Sequence, residues 1–246
     1  AELLADKNID AVYIPLPPAL HYEWAKKALL ADKHVLLEKP FCTNVQDTEA
    51  LLNLAEQRHL AVHENYMFLY HKQLVEIKKM LADGELGEIR LMRMAFGFPK
   101  RGKDDIRYNT EQCGGELIDF IVYNEPLELD LLCDSAKVVQ ASLSQPIGYA
   151  VDLYGNAVLQ NAAGGNAQIA FGMDNAYKCE LEIWGSQVTL TASRIFTSGA
   201  DYMPELIIKS SSDENKIKLN ADDQFLHSIE RFADKIGDTS TTDNDS

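Results

Sequence analysis

At 246 residues the chain is long enough for one large or two modest domains, and a hydrophobic content of 46% is ordinary for a globular protein. The formal net charge of −15 argues against nucleic acid and anionic membrane as partners, because both reward clustered lysine and arginine. No apolar run approaches the roughly 18 residues of a membrane span, and the opening Ala1-Glu2-Leu3-Leu4-Ala5-Asp6 lacks the basic-then-apolar order of a signal peptide, so a cytoplasmic protein is expected.

In chain order, residues 9–14 form a short apolar run ending in Pro15-Leu16-Pro17-Pro18, the pattern of a buried strand entering a turn. Leu20, Trp24 and Ala28, flanked by Ala25 and Leu29, then recur at helical spacing behind a proline that a first turn tolerates. His34-Val35-Leu36-Leu37 reads as a second buried strand and runs straight into Glu38-Lys39-Pro40. Thr43-Asn44-Val45-Gln46 has the spacing of a capping box, with Ala50, Leu51, Leu54 and Ala55 continuing one helical face behind it. Leu60-Ala61-Val62 opens a third strand that leaves through His63-Glu64-Asn65-Tyr66. Strand, helix, strand, helix, strand at this pitch specifies a parallel sheet.

A helix starting at His71 turns Leu74, Ile77 and Leu81 inward and ends at Gly84. The character of the chain then changes. Residues 89–96 read as a strand and residues 99–109 as a polar, basic loop, and Cys113-Gly114-Gly115 leads into a helix carrying Leu117, Ile118, Ile121 and Val122 that Pro126 should break. Seven strands without intervening helices follow, over residues 138–143, 157–160, 167–171, 179–184, 188–191, 206–209 and 216–219. Leu181 and Ile183 alternate with Glu180 and Glu182, as in a sheet with one wet face. Phe171 and Trp184 are large apolar groups not all of which a single layer of helices is expected to reach, leaving a sheet face for a second copy of the chain; the competing view is that Trp184 lies under the helix beginning at Gly115 and the outer face is polar. A last helix carries Phe225, Ile229, Phe232 and Ile236 on one stripe and stops at Gly237, with a polar, frayed remainder.

Lys39 is the first candidate for chemistry. It follows a buried strand at the carboxyl edge of a parallel sheet, where open α/β sheets bind ligands, and Pro40 restricts it to extended backbone. A lysine held there and partly desolvated is a proton donor, since burial or a nearby cation lowers its ordinary pKa of about 10.4 towards the working pH. An arbitrary Glu-Lys-Pro would be surface charge; the flanking segments favour the site. Asp119 and Tyr123, four apart on the helix after Gly115, share one face. Gly114-Gly115 permits close backbone approach, as would a plain turn. Arg101, Lys103 and Arg107 either neutralise a diphosphate or form a solvated loop. His21, His63 and His71 share no metal-ligand spacing, so no metal is expected, and Cys42, Cys113, Cys133 and Cys179 are too scattered for a zinc site or disulfide framework.

The run from Ile9 to Pro15, the segment Leu37-Glu38-Lys39-Pro40, the turn Glu64-Asn65-Tyr66-Met67-Phe68, and Gly114-Gly115 followed by Asp119 and Tyr123 occur in one order over nearly the whole chain. Together they resemble the Gfo/Idh/MocA oxidoreductases, NAD(P)-dependent sugar and cyclitol dehydrogenases. Phe96-Gly97-Phe98-Pro99, Asp105-Ile106-Arg107-Tyr108 and residues 64–71 are similar to the nucleotide-sugar 3-ketoreductases of that family, and dihydrodiol dehydrogenase-like members share part of the pattern. The resemblance implies an α/β protein in which a partial Rossmann-type parallel sheet (residues 1–86) precedes an α+β domain with a large open, mainly antiparallel sheet (residues 87–246). It implies NAD or NADP held by Pro15, Leu16, His21, Glu38, Lys39, Pro40 and Asn65. A sugar or nucleotide-sugar substrate would contact Lys39, Tyr66, Arg107, Tyr108, Asp119 and Tyr123. Lys39 would be the proton donor, Tyr123 a second donor or an orienter of the carbonyl, and Asp119 a partner of the substrate or of Lys39. Members of the family commonly pack their sheets face to face, so a homo-oligomer, dimer or tetramer, is expected.

The chain departs from the family at one point. Nothing of the form GxGxxG precedes Ile9, so the segment that grips the pyrophosphate is missing from the pattern, and a fragment or natural truncation with weak cofactor binding is expected. The rival to an oxidoreductase is accordingly a dehydrogenase relative that keeps only a sugar-binding or dimerising sheet.

Overall fold

The computed structural model describes residues 2–112, 114–115, 136–162 and 164–241. After a short helix α1 (Glu2–Ala5), strands β1 (Ala11–Ile14), β2 (His34–Leu37) and β3 (Val62–Glu64) pair in parallel in the order β1-β2-β3. Helices α2 (Pro18–Leu30) and α3 (Val45–Gln57) cover one face of this sheet, where Ala25, Ala28, Leu29, Leu51 and Ala55 meet Ile14, Val35 and Leu37. The buried stripe of α2 is His21, Ala25, Ala28 and Leu29, while Leu20 is exposed. Helix α3 is capped by Asn44, whose Oδ1 accepts from the Asp47 N–H at 2.8 Å, one position later than the Thr43 capping box expected. The extended backbone of Asn44 aims its side chain back over the first turn.

Past a 3₁₀ turn (Met67–Tyr70), helix α4 (Lys72–Ala82) begins at His71, whose Nδ1 accepts from the Gln73 N–H at 3.1 Å. It buries Leu74 and Ile77 and gives way to Gly84, with φ +72°, a conformation glycine adopts without strain.

The second sheet has eight strands, β4 (Ile89–Phe98), β5 (Lys137–Ser144), β6 (Tyr154–Gln160), β7 (Asn166–Met173), β8 (Lys178–Gly185), β9 (Thr189–Ser193), β10 (Glu205–Lys209) and β11 (Glu214–Lys218), in the order β11-β10-β9-β8-β4-β7-β6-β5. Every neighbouring pair is antiparallel except β4 with β7. Its inner face packs Met92, Met94, Ile169, Leu181, Ile183 and Leu190 with Phe68, Leu74, Ile77 and Phe196. Cys179, Leu181 and Ile183 point in and Glu180 and Glu182 out, as the alternation predicts. Phe171 lies in this core at 5% exposure, because its register places it beside buried Phe96. Trp184 does lie outward, half exposed, but the face around it is polar: Arg93 bonds Gln168 at 3.1 Å and Glu182 at 3.2 Å.

Helix α5 (Gln224–Thr241) returns to the open face of the parallel sheet, where Phe232 and Ile236 meet Leu36 and Ala61. Two expectations for it are corrected. The helix continues through Gly237 to Thr241, since glycine weakens a helix by only about 1 kcal/mol. Its buried stripe is Gln224, Ser228 and Phe232, and Phe225 and Ile229 are half exposed. The polar members are buried because they are bonded: Gln224 Nε2 donates to Ser198 O at 2.8 Å, and Ser228 has partners described below. The helix expected after Gly115 lies outside the described residues. Among the described residues no helix is long and apolar enough to cross a membrane.

Candidate active site

The carboxyl ends of the three parallel strands converge on the Glu38-Lys39-Pro40 turn. The Glu38 N–H donates to Ile14 O at 3.2 Å and the Asn65 N–H to Leu37 O at 2.8 Å, so the loops after all three strands are drawn together. The Lys39–Pro40 peptide is cis. Fully buried His21 clamps this turn from behind, with Nδ1 2.7 Å from Pro40 O and Nε2 2.7 Å from Leu16 O, and the Phe41 N–H donates to Glu64 Oε1 at 2.6 Å.

Glu38 is held from two sides. The Tyr13 hydroxyl donates to its Oε1 at 2.6 Å and Asn65 Nδ2 donates to the same oxygen at 2.7 Å. Burial pushes the Tyr13 phenol pKa well up, with the bond to Glu38 and its negative charge adding to the shift, so the phenol remains a donor. Asn65 is itself buried, with its Oδ1 accepting from Ser228 Oγ at 2.8 Å, and Ser228 Oγ lies 3.2 Å from His63 Nε2. Burial lowers the His63 pKa to about 4, helped by the positive charges of Lys235 and Arg231.

A cavity of about 160 Å³ opens at this edge. Pro15, Leu16, Glu38 and Lys39 form one wall, and Ile106, Arg107, Gln112, Gly114 and Gly115 the other. It therefore joins apolar surface to two cationic side chains, a carboxylate and the Gln112 carboxamide, whose buried Oε1 has no hydrogen-bond donor among the described residues. The close approach expected of Gly114-Gly115 is to the chain's own backbone: the Gly115 N–H donates to Arg107 O at 2.9 Å, and a Cβ on Gly114 would sit 2.5 Å from that oxygen. Arg107 is steadied by Asp105 at 3.1 Å and lies over the Phe98 ring at 5.7 Å.

Of the residues singled out from the sequence, the structure brings Pro15, Leu16, Glu38, Lys39 and Arg107 to one cavity. His21, Pro40 and Asn65 brace it from behind. Tyr66 and Tyr108 pack on the core of the large sheet; the Tyr108 ring lies tilted beside that of Tyr149 and its hydroxyl accepts from the Arg101 N–H at 3.2 Å. Asp119 and Tyr123 lie outside the described residues. Tyr13, Gln112 and Ser228 were not anticipated. Tyr13 reads as a core aromatic within an apolar strand, and Ser228 lies 163 residues from its partner Asn65.

Two family models account for most of the chain. An oxidoreductase family with an NAD-binding Rossmann fold, GFO_IDH_MocA, matches residues 1–66, and the GFO/IDH/MocA C-terminal domain matches residues 74–191. The chain belongs to the Gfo/Idh/MocA oxidoreductase family. It is 38% identical over 234 residues to the dTDP-3,4-didehydro-2,6-dideoxy-alpha-D-glucose 3-reductase of Saccharopolyspora spinosa, covering 95% of this chain and 70% of that relative. It is 28% identical over 244 residues to a D-xylose 1-dehydrogenase (NADP(+)) of Haloferax volcanii, covering 98% of this chain and 74% of that one. The crystal structure of KijD10, a 3-ketoreductase from Actinomadura kijaniata, in complex with NADP and TDP-benzene, matches at a TM-score of 0.93 and 39% identity, covering 97% of this chain and 73% of that one. The expected architecture and the resemblance to nucleotide-sugar 3-ketoreductases both stand, and the protein is an NAD(P)-dependent oxidoreductase of this family.

Proposed function

We propose that the protein reduces a keto group on a nucleotide-linked sugar, with NADPH or NADH as reductant and Lys39 as the proton donor. The observation that carries this reading is the meeting of Lys39 with Arg107 and the Pro15-Leu16 turn around one cavity at the carboxyl edge of the parallel sheet. The residues present suit a dinucleotide. Pro15, Leu16 and Ile106 offer apolar contact to a flat ring, Gln112 Oε1, which has no donor among the described residues, accepts from an N–H such as that of a carboxamide, and Glu38 accepts from a ribose hydroxyl.

When bound, the cofactor supplies a hydride to the carbonyl carbon. Lys39 Nζ then gives one proton to the carbonyl oxygen as negative charge grows there, and the neutral amine regains a proton from solvent. Arg107, fixed by Asp105, offsets the charge of a substrate phosphate. Tyr123 orients the carbonyl or acts as a second donor, with Asp119 as a hydrogen-bond partner. Supporting this pair of roles, solved structures of KijD10 include variants at one lysine and one tyrosine, and the same number of residues separates Lys39 from Tyr123. In this reading residues 1–86 serve the cofactor with α5 packed behind them, the remainder of residues 87–246 supplies the substrate side, and the large sheet pairs with a second copy.

The test is the intact protein offered a nucleotide-linked keto sugar and the corresponding free keto sugar with NADPH. Cofactor oxidation is followed by absorbance and the product identified by NMR. A kcat/KM at least about a hundredfold higher for the nucleotide-linked sugar supports the reading, the size of one or two hydrogen bonds from a charged side chain such as Arg107 to the phosphates. Equal rates on the free sugar would overturn it.

A further inference from the structure

We propose that Ser228, on the C-terminal helix α5, is a positioning residue for the cofactor cavity, acting through Asn65 on Glu38. The proposal rests on the assignment of Glu38 to the cofactor wall made above. Tyr13, Leu36 and His63 are register neighbours across β1, β2 and β3 and so share one sheet face, the face against which α5 lays Phe232. Fully buried Ser228 lies one helical turn before Phe232 and reaches the strand ends from there.

The direction of each hydrogen bond follows from what each atom can do. The ionised Glu38 carboxylate only accepts, so Asn65 must present Nδ2 to it, at 2.7 Å; the reverse amide orientation would set two oxygens against each other. Asn65 Oδ1 then accepts the one Ser228 hydroxyl proton at 2.8 Å. With that proton committed, the 3.2 Å contact between Ser228 Oγ and His63 Nε2 requires an N–H on His63. This assigns His63 as the neutral Nε2–H tautomer. Its buried Nδ1, without a partner among the described residues, is then a bare acceptor, which costs less to leave unpaired than an N–H would. Every donor in the row from His63 through Ser228 and Asn65 points towards Glu38 Oε1, where the Tyr13 hydroxyl arrives from the other side.

A helix needs no such row merely to pack, since apolar side chains of similar volume hold buried positions as well. What the row does is fix one amide and, with it, the carboxylate next to Lys39. Loss of the serine hydroxyl frees Asn65 to turn, and Glu38 loses one of its two donors.

The experiment compares the intact wild-type protein with Ser228→Ala and Phe232→Leu, measuring NADP+ affinity by titration calorimetry and Tm for each. Phe232→Leu loosens the same helix and replaces the ring stacked on His63, but removes no hydrogen-bonding group of the row. The expected result is binding about tenfold weaker in Ser228→Ala, the scale of one hydrogen bond to a charged group, with binding in Phe232→Leu unchanged despite a lower Tm. Wild-type affinity in Ser228→Ala, or an equal loss in Phe232→Leu, would overturn the proposal. So would ¹⁵N spectra of the wild-type protein showing His63 protonated on Nδ1 alone. Calorimetry requires no turnover, so a failure to reduce any nucleotide-linked sugar would remove the substrate reading while this comparison still decides the role of Ser228.

Discussion

The hydroxyl of Tyr13 lies 2.6 Å from Glu38 Oε1, tying the edge strand of the parallel sheet to the carboxylate beside the proposed proton donor. Tyr13→Phe removes that donor and keeps the ring, which is half exposed, so the fold should persist with little change in Tm. Dinucleotide affinity should fall by about threefold to tenfold, measured by calorimetry. An alkaline absorbance titration should also lose one late-titrating phenol, because burial and then Glu38 hold the Tyr13 pKa far above the usual tyrosine value.

Lys39→Ala should lower turnover by about 10²–10⁴-fold with little effect on cofactor affinity, as expected for the loss of a general acid. Lys39→Arg should not restore it, since a guanidinium keeps its proton at working pH. Tyr123→Phe should slow the reaction less than the lysine change, and the reverse order in single-turnover rates would make the tyrosine the acid.

His21→Ala removes the ring that contacts both the Leu16 and the Pro40 carbonyl oxygens and opens a void behind the Glu38-Lys39-Pro40 turn. The expected loss is about 2–4 kcal/mol of stability, read from denaturant melts, with a rise in the KM for the cofactor. Unchanged stability would show that the clamp contributes nothing.

Stability should vary with pH through Asp222, nearly buried where the loop before α5 meets α4. Burial opposes ionisation of this carboxylate, but bonds from His227, from the Lys72 N–H at 2.8 Å and from Lys72 Nζ at 3.1 Å hold its pKa down at about 2. The bond to Asp222 at 2.8 Å, then that to Glu230 at 3.1 Å, raises the His227 pKa above 6.5. The carboxylate contribution is present above the unfolded value of 3.8 and is lost as pH falls towards 2. The imidazolium contribution is complete below 6.5 and is lost as pH rises through the higher folded value. The cluster should therefore stabilise most between roughly pH 4 and 6.5. Asp222→Asn should flatten both limbs of Tm against pH, and a deficit in that variant that is the same at every pH would count against the assignment.

On the open face of the large sheet, Arg93 sits between Gln168 and Glu182 with Trp184 half exposed on the same face. If that face pairs with a second copy, Arg93→Glu gathers like charges there and should split the assembly. Sedimentation of the parent at the 27.5 kDa monomer mass, unchanged with concentration, would end the pairing idea.

What could be read from the residues depended on how local the signal was. The Glu38-Lys39-Pro40 turn was legible because a buried apolar run, two charges and a proline follow one another within a few positions. Strand β8 was legible because its glutamates alternate with Leu181 and Ile183. Helix α5 was misread because counting apolar residues favours Phe225 and Ile229, whereas the buried side carries Gln224 and Ser228, satisfied by partners distant in sequence. The start of α3 slipped by one residue because Thr43 and Asn44 both suit a cap and only backbone geometry chooses between them. The face that Phe171 takes is not legible locally, because parallel pairing of β7 with β4 is non-local and sets its register.

That same parallel pairing bears on how the protein comes to be made. Strand β4 leads out of the first sheet yet lies in the middle of the second, flanked by β7 and β8, both of which come much later in the chain. On the ribosome, the row Met92, Met94, Phe96 and Phe98 emerges with neither neighbour in existence, and the nascent chain carries an unpaired apolar strand until most of the remainder has been synthesised. Assembly of the large sheet is thus a late event in biosynthesis, and in the interval before it the unpaired strand is open to pairing with other chains.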